Sequence, residues 1–268
     1  MRPTGSVQFD NSGRVVLVTG GAGGIGLAIC QAFAASGATV YAVDVAEPEG
    51  ELPAKLISGD VSKREECRRV IAQVVEEAGA IDVLVNNAAI QPPASYKAID
   101  ELSTETWDKM VAINLSGYAY MAMETAAVMR KQQSGVIVNM ASAQAHRTAR
   151  EVPAYGPIKA ANVMQAKQWG VELAREGVRV VSVSPGAVGT PLLRASLAQQ
   201  GGEESLANRH PLGRIGEPPE IAAAVLWLAS EGASFITATD IEVDGGLGAF
   251  AAFADPFSVA TLPGKNDC

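Results

Sequence analysis

The chain has 268 residues, of which 48% are hydrophobic and 19% charged, a composition that suits a well-buried core and excludes a disordered chain. Its formal net charge of -8 argues against nucleic acid as a partner, because phosphate binding needs a basic face. Three widely spaced cysteines (Cys30, Cys67, Cys268) and two isolated histidines (His146, His210) suggest neither a disulfide framework nor a metal cluster. No apolar run reaches signal-peptide or membrane-spanning length, so a reducing, cytoplasmic setting is expected.

In chain order, short β-branched apolar runs alternate with longer helical patterns. "RVVLVTG" (14–20) reads as a strand and "GIGLAICQAFAASG" as a helix ended by Gly37. Strands follow at 39–44 and 54–60. The segment 62–79 opens with Ser62 and Glu65 in capping-box spacing and reads as a helix. A strand at 81–88 precedes a stretch, 103–132, that is helical for most of its length. Then come strand 135–142, helix 155–176, strand 178–186, helix 218–231 and strand 238–245. The strands are continuously apolar, which implies burial on both faces and a parallel sheet covered by helices. With no internal repeat and no linker, one doubly wound α/β domain over 1–268 follows, with ligands expected beyond the carboxyl ends of its strands. The long irregular stretch 186–217 reads as a mobile lid over a site, or else as disorder.

The first strand runs into "TGGAGGIG", Thr19 to Gly26, where a helix begins. Gly20, Gly24 and Gly26 let the backbone turn tightly and approach a pyrophosphate, which the helix N-terminus would receive. Asp44 ends the second strand 18 positions after Gly26, where an acidic residue accepts the hydrogen bonds of a ribose 2′-hydroxyl. A carboxylate there repels a 2′-phosphate, and no arginine or lysine lies between Val40 and Gly50, so NAD(H) is expected rather than NADP(H).

Tyr155 and Lys159 stand four apart in "PAYGPIKAAN" and share one face of a helix. A phenol has an ordinary pKa near 10, about three units too high for acid–base work at neutral pH. Two unit charges 4 Å apart at an effective dielectric near 20 interact by roughly 4 kcal/mol, which is about three pKa units. One ammonium is thus about sufficient to tune Tyr155. Pro153 suits the first turn of this helix, and Pro157, one turn later, forfeits at most about one intrahelical bond.

"TGGAGGIG", "NNAA" (86–89), Asn114, Ser142, "YGPIK" (155–159) and "SPGAVGT" (184–190) occur in the order and spacing of a known family, and over residues 12–247 the chain resembles the classical short-chain dehydrogenase/reductases. Ala89 stands where that family usually has glycine. The resemblance implies a seven-stranded Rossmann sheet and reversible hydride transfer between a nicotinamide and an alcohol or ketone. It implies that Ser142 orients the substrate oxygen towards Tyr155, the general acid/base, and that Asn114 holds a water linking Lys159 to solvent. It places Ile25 with the glycines of the cofactor loop, Asp60 and Val61 at the adenine ring, and Asn87 at the adenosine ribose and central sheet. Pro185, Gly186, Val188 and Thr190 would bind the carboxamide, and Tyr155 and Lys159 would also touch the cofactor. It further suggests a homotetramer built through the helices 103–132 and 155–176.

The substrate pocket is expected from Gln91 to Ala94, from Gln144, His146 and Arg147 after Ser142, and from Leu192 and Leu193. Ser142, Tyr155, Gln144 and Arg147 are the candidate substrate contacts, and the mixture suits a polyol or sugar, or a carboxylated ketone. The segment 248–268 carries three phenylalanines (Phe250, Phe253, Phe257) and either closes a pocket or packs on a neighbouring subunit. Two rivals to an NAD-dependent alcohol dehydrogenase stay open: an NADP(H)-linked carbonyl reductase of a biosynthetic pathway, and a non-catalytic dinucleotide-binding scaffold.

Overall fold

The computed structural model describes Gly5, residues 7–48, 50–194, Leu197 and 202–250. Seven strands, β1 (Val15–Thr19), β2 (Thr39–Asp44), β3 (Lys55–Ser58), β4 (Val83–Asn86), β5 (Gly135–Met140), β6 (Val178–Pro185) and β7 (Thr239–Val243), form one parallel sheet in the order β3-β2-β1-β4-β5-β6-β7. The β1, β4 and β5 strands are buried at every position, as their continuous apolar runs require.

Alternate side chains of each strand feed opposite layers. Val16 and Val18 pack with α1 (Gly24–Ala35) and α8 (Pro218–Ala229), while Val15 and Leu17 pack with α2 (Arg64–Ala78), α4 (Gly117–Gln132) and α5 (Tyr155–Leu173). Strand order reverses between β1 and β4, so the crevice for ligands opens beyond their carboxyl ends, at Gly20 and Asn87. Among the described residues, no helix is long and apolar enough to cross a membrane.

Several local expectations are corrected. The Ser62–Glu65 capping box does not form: α2 begins one residue later, at an N-cap Lys63, and the Ser62 hydroxyl donates instead to Asp60 Oδ1 at 2.7 Å. The long helical stretch is α3 (Thr104–Val111), capped by Ser103, then a π-helical turn (Ala112–Ser116), then α4. Helix α5 starts at Tyr155, which leaves Pro153 outside it and makes Pro157 its third residue. The first N–H groups of a helix have no intrahelical partner, so Pro157 forfeits nothing. The stretch 186–217 is not irregular throughout: it carries α6 (Pro191–Arg194) and α7 (Gly202–Ala207), and a bridge between Val188 and Gly216 ties its ends. Phe253 and Phe257 lie outside the described residues.

Phe33 anchors α1 on the sheet and is wholly buried. Phe33→Ala is expected to cost about 3–5 kcal/mol, read as a lower denaturant midpoint at unchanged slope.

Candidate active site

The nucleotide end of the site is a groove of about 370 Å³ at the carboxyl ends of β1, β2 and β4. Gly20 and Gly24 adopt positive φ values of 65° and 54°, which side-chain-bearing residues rarely hold. A Cβ at Gly26 would run into the Gly20 carbonyl oxygen, so this glycine lets α1 close onto the loop and does not itself line the groove. Asn87 Nδ2 donates to the carbonyls of Thr19 and Gly20, both at 3.1 Å, and so fastens the loop to β4. The N-cap of α1 is Gly23, which has no side chain to bond the first-turn amides.

Asp44 is fixed where β2 ends. Its Oδ2 accepts from Ala22 N at 3.0 Å and its Oδ1 from Val45 N and Ala46 N. Asp60 lies across the groove. Burial raises its pKa, but hydrogen bonds from Ser62 and the Lys63 ammonium outweigh that and hold its carboxyl below the usual range. Glu47 makes a third carboxylate on the wall, and no lysine or arginine stands among the lining residues. Val61, Ile25 and Thr190 complete the expected set.

A second cavity of about 340 Å³ shares Ile25, Asn87, Ala89, Thr190 and Leu192 with the groove, so the two are contiguous. Its wall gathers Ser142, Gln144, Arg147, Tyr155, Lys159, Pro185, Gly186 and Val188, residues that the chain holds far apart. Ser142 follows β5 and its hydroxyl accepts from Gln144 N at 3.1 Å. A Cβ at Gly156 would come within 3.0 Å of the Gln144 carbonyl oxygen, so glycine there lets the turn after Ser142 rest on the first turn of α5. Ser142 and Tyr155 are thereby brought into hydrogen-bond contact.

Lys159 is 1% exposed. Its Nζ donates to the Met140 carbonyl at 2.7 Å and to Tyr118 Oη at 3.2 Å, and lies 5.6 Å from the centre of the Tyr155 ring. Burial pulls its pKa down to about 7. Burial also pushes the Tyr155 phenol well above its ordinary value; Tyr96 adds to the rise and the Ser142 hydrogen bond offsets part of it. Without a bound nicotinamide, whose positive charge would add to that of Lys159, burial outweighs the expected lowering of Tyr155. Both groups share one low-dielectric pocket, where desolvation opposes ammonium and phenolate alike.

Asn114 does not line either cavity. Its amide is bonded at both ends to the Ile90 backbone, each at 2.8 Å, and its carbonyl accepts from Asn162 Nδ2 at 3.0 Å. The side chain thus pins the loop after β4, and Lys159 finds its partners in Met140 and Tyr118.

Two residues escaped the sequence reading. Tyr118 stands four positions after Asn114, the same helical spacing that drew attention to Tyr155 and Lys159, and its hydroxyl also donates to the Met140 carbonyl at 3.1 Å. His210 is 2% exposed and lines the cavity; its Nε2 accepts from Ala187 N at 3.1 Å, so its proton sits on Nδ1 and is donated to the Leu206 carbonyl at 2.7 Å. Nothing in the local sequence signals that role. The loop after Ser142 is moored to β7 by His146 Nε2 with Asp240 Oδ2 at 2.7 Å and by Arg147 Nη1 with Glu242 Oε2 at 3.3 Å.

A family model described as enoyl-(acyl carrier protein) reductase matches residues 20–248. The chain belongs to the short-chain dehydrogenase/reductase family. It is 38% identical over 246 residues to a 3-oxoacyl-(acyl-carrier-protein) reductase of Thermotoga maritima, covering 88% of this chain and 98% of that one. It is also 38% identical over 246 residues to a 2,3-dihydro-2,3-dihydroxybenzoate dehydrogenase of Escherichia coli, covering 89% and 98%. The solved aldohexose dehydrogenase of Thermoplasma acidophilum superposes with a TM-score of 0.86 at 34% identity, covering 93% of this chain and 98% of that one. As a short-chain dehydrogenase/reductase the protein is an oxidoreductase that binds a nicotinamide dinucleotide. The positive-φ glycines, the open first turn of α1 and the carboxylate at the end of β2 fit that group.

The buried Lys159 carries a testable consequence. Its folded pKa lies below the unfolded value, so the folded state holds fewer protons between pH 7 and 10.5 and this lysine's penalty on folding shrinks as pH rises through that window. Lys159→Met removes the penalty. The stability advantage of that variant over wild type, without cofactor, is expected to fall by about 2–3 kcal/mol from pH 7 to pH 9. Thermal unfolding of the two proteins at both pH values checks it.

Proposed function

We propose that the protein interconverts a secondary alcohol and its ketone with NAD(H). The observation that carries this reading is the convergence of Ser142, Tyr155 and Lys159 on one wall of a cavity continuous with the nucleotide groove. When bound, the dinucleotide supplies the hydride acceptor or donor. In the oxidative direction Ser142 holds the substrate oxygen, Tyr155 takes the hydroxyl proton as the carbon–hydrogen bond yields its hydride, and in reduction Tyr155 returns that proton. Pro185, Gly186, Val188 and Thr190 line the cavity where the carboxamide would rest.

NAD(H) is favoured over NADP(H) by the charge of the groove. Asp44, Glu47 and Asp60 face it with no cation among the lining residues, and a 2′-phosphate beside Asp44 would meet like charge. Leu192 lines both cavities, which supports α6 and α7 as the cover over substrate and cofactor together. Exposed Met123 on α4, and Met164 and Val171 on α5, support the homotetramer through these helices. A cytoplasmic setting belongs to the same reading.

Tyr155→Phe is expected to lower turnover of any accepted alcohol at least about a thousandfold while cofactor still binds. Nicotinamide absorbance and quenching of protein fluorescence by NADH separate the two effects; wild-type turnover in this variant overturns the assignment. The ratio of kcat/KM with NAD(H) to that with NADP(H) is expected to exceed about ten and to fall in Asp44→Ala; a native preference for NADP(H) rejects the role given to Asp44.

A further inference from the structure

Two polar atoms at the reaction cavity lack partners. Gln91 Nε2 and Gln144 Oε1 belong to residues that line the cavity beside Ser142 and Tyr155, yet each is shut from solvent and makes no hydrogen bond. A buried donor or acceptor without a partner bears the full desolvation of that group, and folded proteins leave few of them. The two amides come from separate elements: Gln91 from the loop after β4, Gln144 from the 3₁₀ turn after Ser142. That turn is fixed by the Gln144 N bond to Ser142 and by its rest on Gly156. One atom donates and the other accepts, and the terminal amide torsion of glutamine is soft enough to turn either towards an occupant.

We propose that Gln91 and Gln144 recognise a second hydroxyl group on the substrate, next to the carbon that reacts. That hydroxyl accepts from Gln91 Nε2 and donates to Gln144 Oε1, so the substrate is a diol, or the hydroxyketone formed from it, with its other oxygen on Ser142 and Tyr155. A hydroxyl both donates and accepts, and so pairs both amides as they stand; a carboxylate only accepts and would need the Gln144 amide turned over, and an alkyl group leaves both amides unpaired. Of the arginines on the wall, Arg147 is already paired with the Glu242 carboxylate. The inference deepens the alcohol dehydrogenase reading and rests on it.

The test compares cis- and trans-cyclohexane-1,2-diol, cyclohexanol and 3-hydroxycyclohexanecarboxylate with NAD⁺. One diol is expected to exceed cyclohexanol in kcat/KM at least about tenfold, because a site built to pair a hydroxyl rejects the analogue lacking it. Gln91→Met and Gln144→Met, close in shape to the native residues, are each expected to cut that ratio about tenfold. Gln144→Glu keeps an acceptor and is expected to keep the preference, which separates recognition from a folding defect. Titration calorimetry of the same compounds into Tyr155→Phe loaded with NAD⁺ reads binding without turnover, with the diol expected to bind about tenfold tighter than cyclohexanol. Equal use and equal binding of cyclohexanol, a preference for the hydroxy acid, or a ratio unchanged in both methionine variants overturns the proposal. Absence of turnover of every alcohol by the wild type instead overturns the dehydrogenase reading, and the binding titration still decides the diol.

Discussion

A chain of four buried asparagines holds the site-bearing elements in place. Asn86, on β4, donates to Asn139 on β5 at 3.0 Å; Asn139 donates to the Asn162 carbonyl on α5; Asn162 donates to the Asn114 carbonyl in the π-helical turn; Asn114 clasps the Ile90 backbone after β4. All four are fully buried. Each bond contributes only about 1 kcal/mol net, but breaking one strands a polar group in a dry interior, so the elements must move together or not at all. The π turn is part of this device. Its Gly117 N–H reaches back five residues to the Ala112 carbonyl, widening the helix around Asn114, which sits at its centre. Because Ser142 extends from β5 and Tyr155 and Lys159 stand on α5, the asparagine chain fixes the mutual geometry of the three groups to which the chemistry is assigned in the proposed function.

That frame is built at the expense of a buried lysine. Helix α5 is buried along Tyr155, Ile158, Lys159, Asn162 and Val163, so the face that carries Lys159 looks into the protein. Met140 and Tyr118 take two of the ammonium hydrogens, and no carboxylate bonds it among the described residues. Such a group is poised between ammonium and amine near neutral pH, where gaining and losing a proton cost about the same. A phenol raised by burial needs further positive charge before it ionises, and an oxidised nicotinamide brings that charge only when bound. On the reading proposed for Tyr155, its acid–base chemistry would thus require a loaded nucleotide groove.

Much of this was legible in the sequence because it is local or periodic. Seven β-branched runs gave seven parallel strands, and the glycine loop, Asp44 and the order Ser142, Tyr155, Lys159 located both cavities. What escaped is non-local. The spacing of Tyr155 and Lys159 places them on one face, but only packing against β5 and α4 shows that the face points inward, and that reverses the balance between desolvation and charge attraction. Ser62 lost its capping role because Asp60 competes for the hydroxyl. The stretch 186–217 looked irregular because its order comes from a bridge between Val188 and Gly216, 28 positions apart, and from His210 pairing with Ala187. No window of sequence contains both partners of such a contact.

The walls of the reaction cavity divide by stiffness and by task. Ser142, Tyr155 and Lys159 stand on or beside β5 and α5, inside the asparagine frame, where a change of substrate cannot easily displace them. Gln91, Gln144 and Arg147 stand on connecting segments, where side chains can change without disturbing the sheet. The turn after Ser142 is nevertheless not loose. His146 and Arg147 moor it to Asp240 and Glu242 on β7, and Asp240 in turn accepts a hydrogen bond from Ser182 on β6 at 2.5 Å. Asp240 is thus held by a buried neighbour on one side and holds the loop on the other. The position of Gln144 is then set by the sheet edge through these two side-chain pairs, and by the start of α5 through Gly156. On the proposed roles of Gln144 and Tyr155, recognition of the substrate and proton transfer to it would be mechanically joined at a single turn.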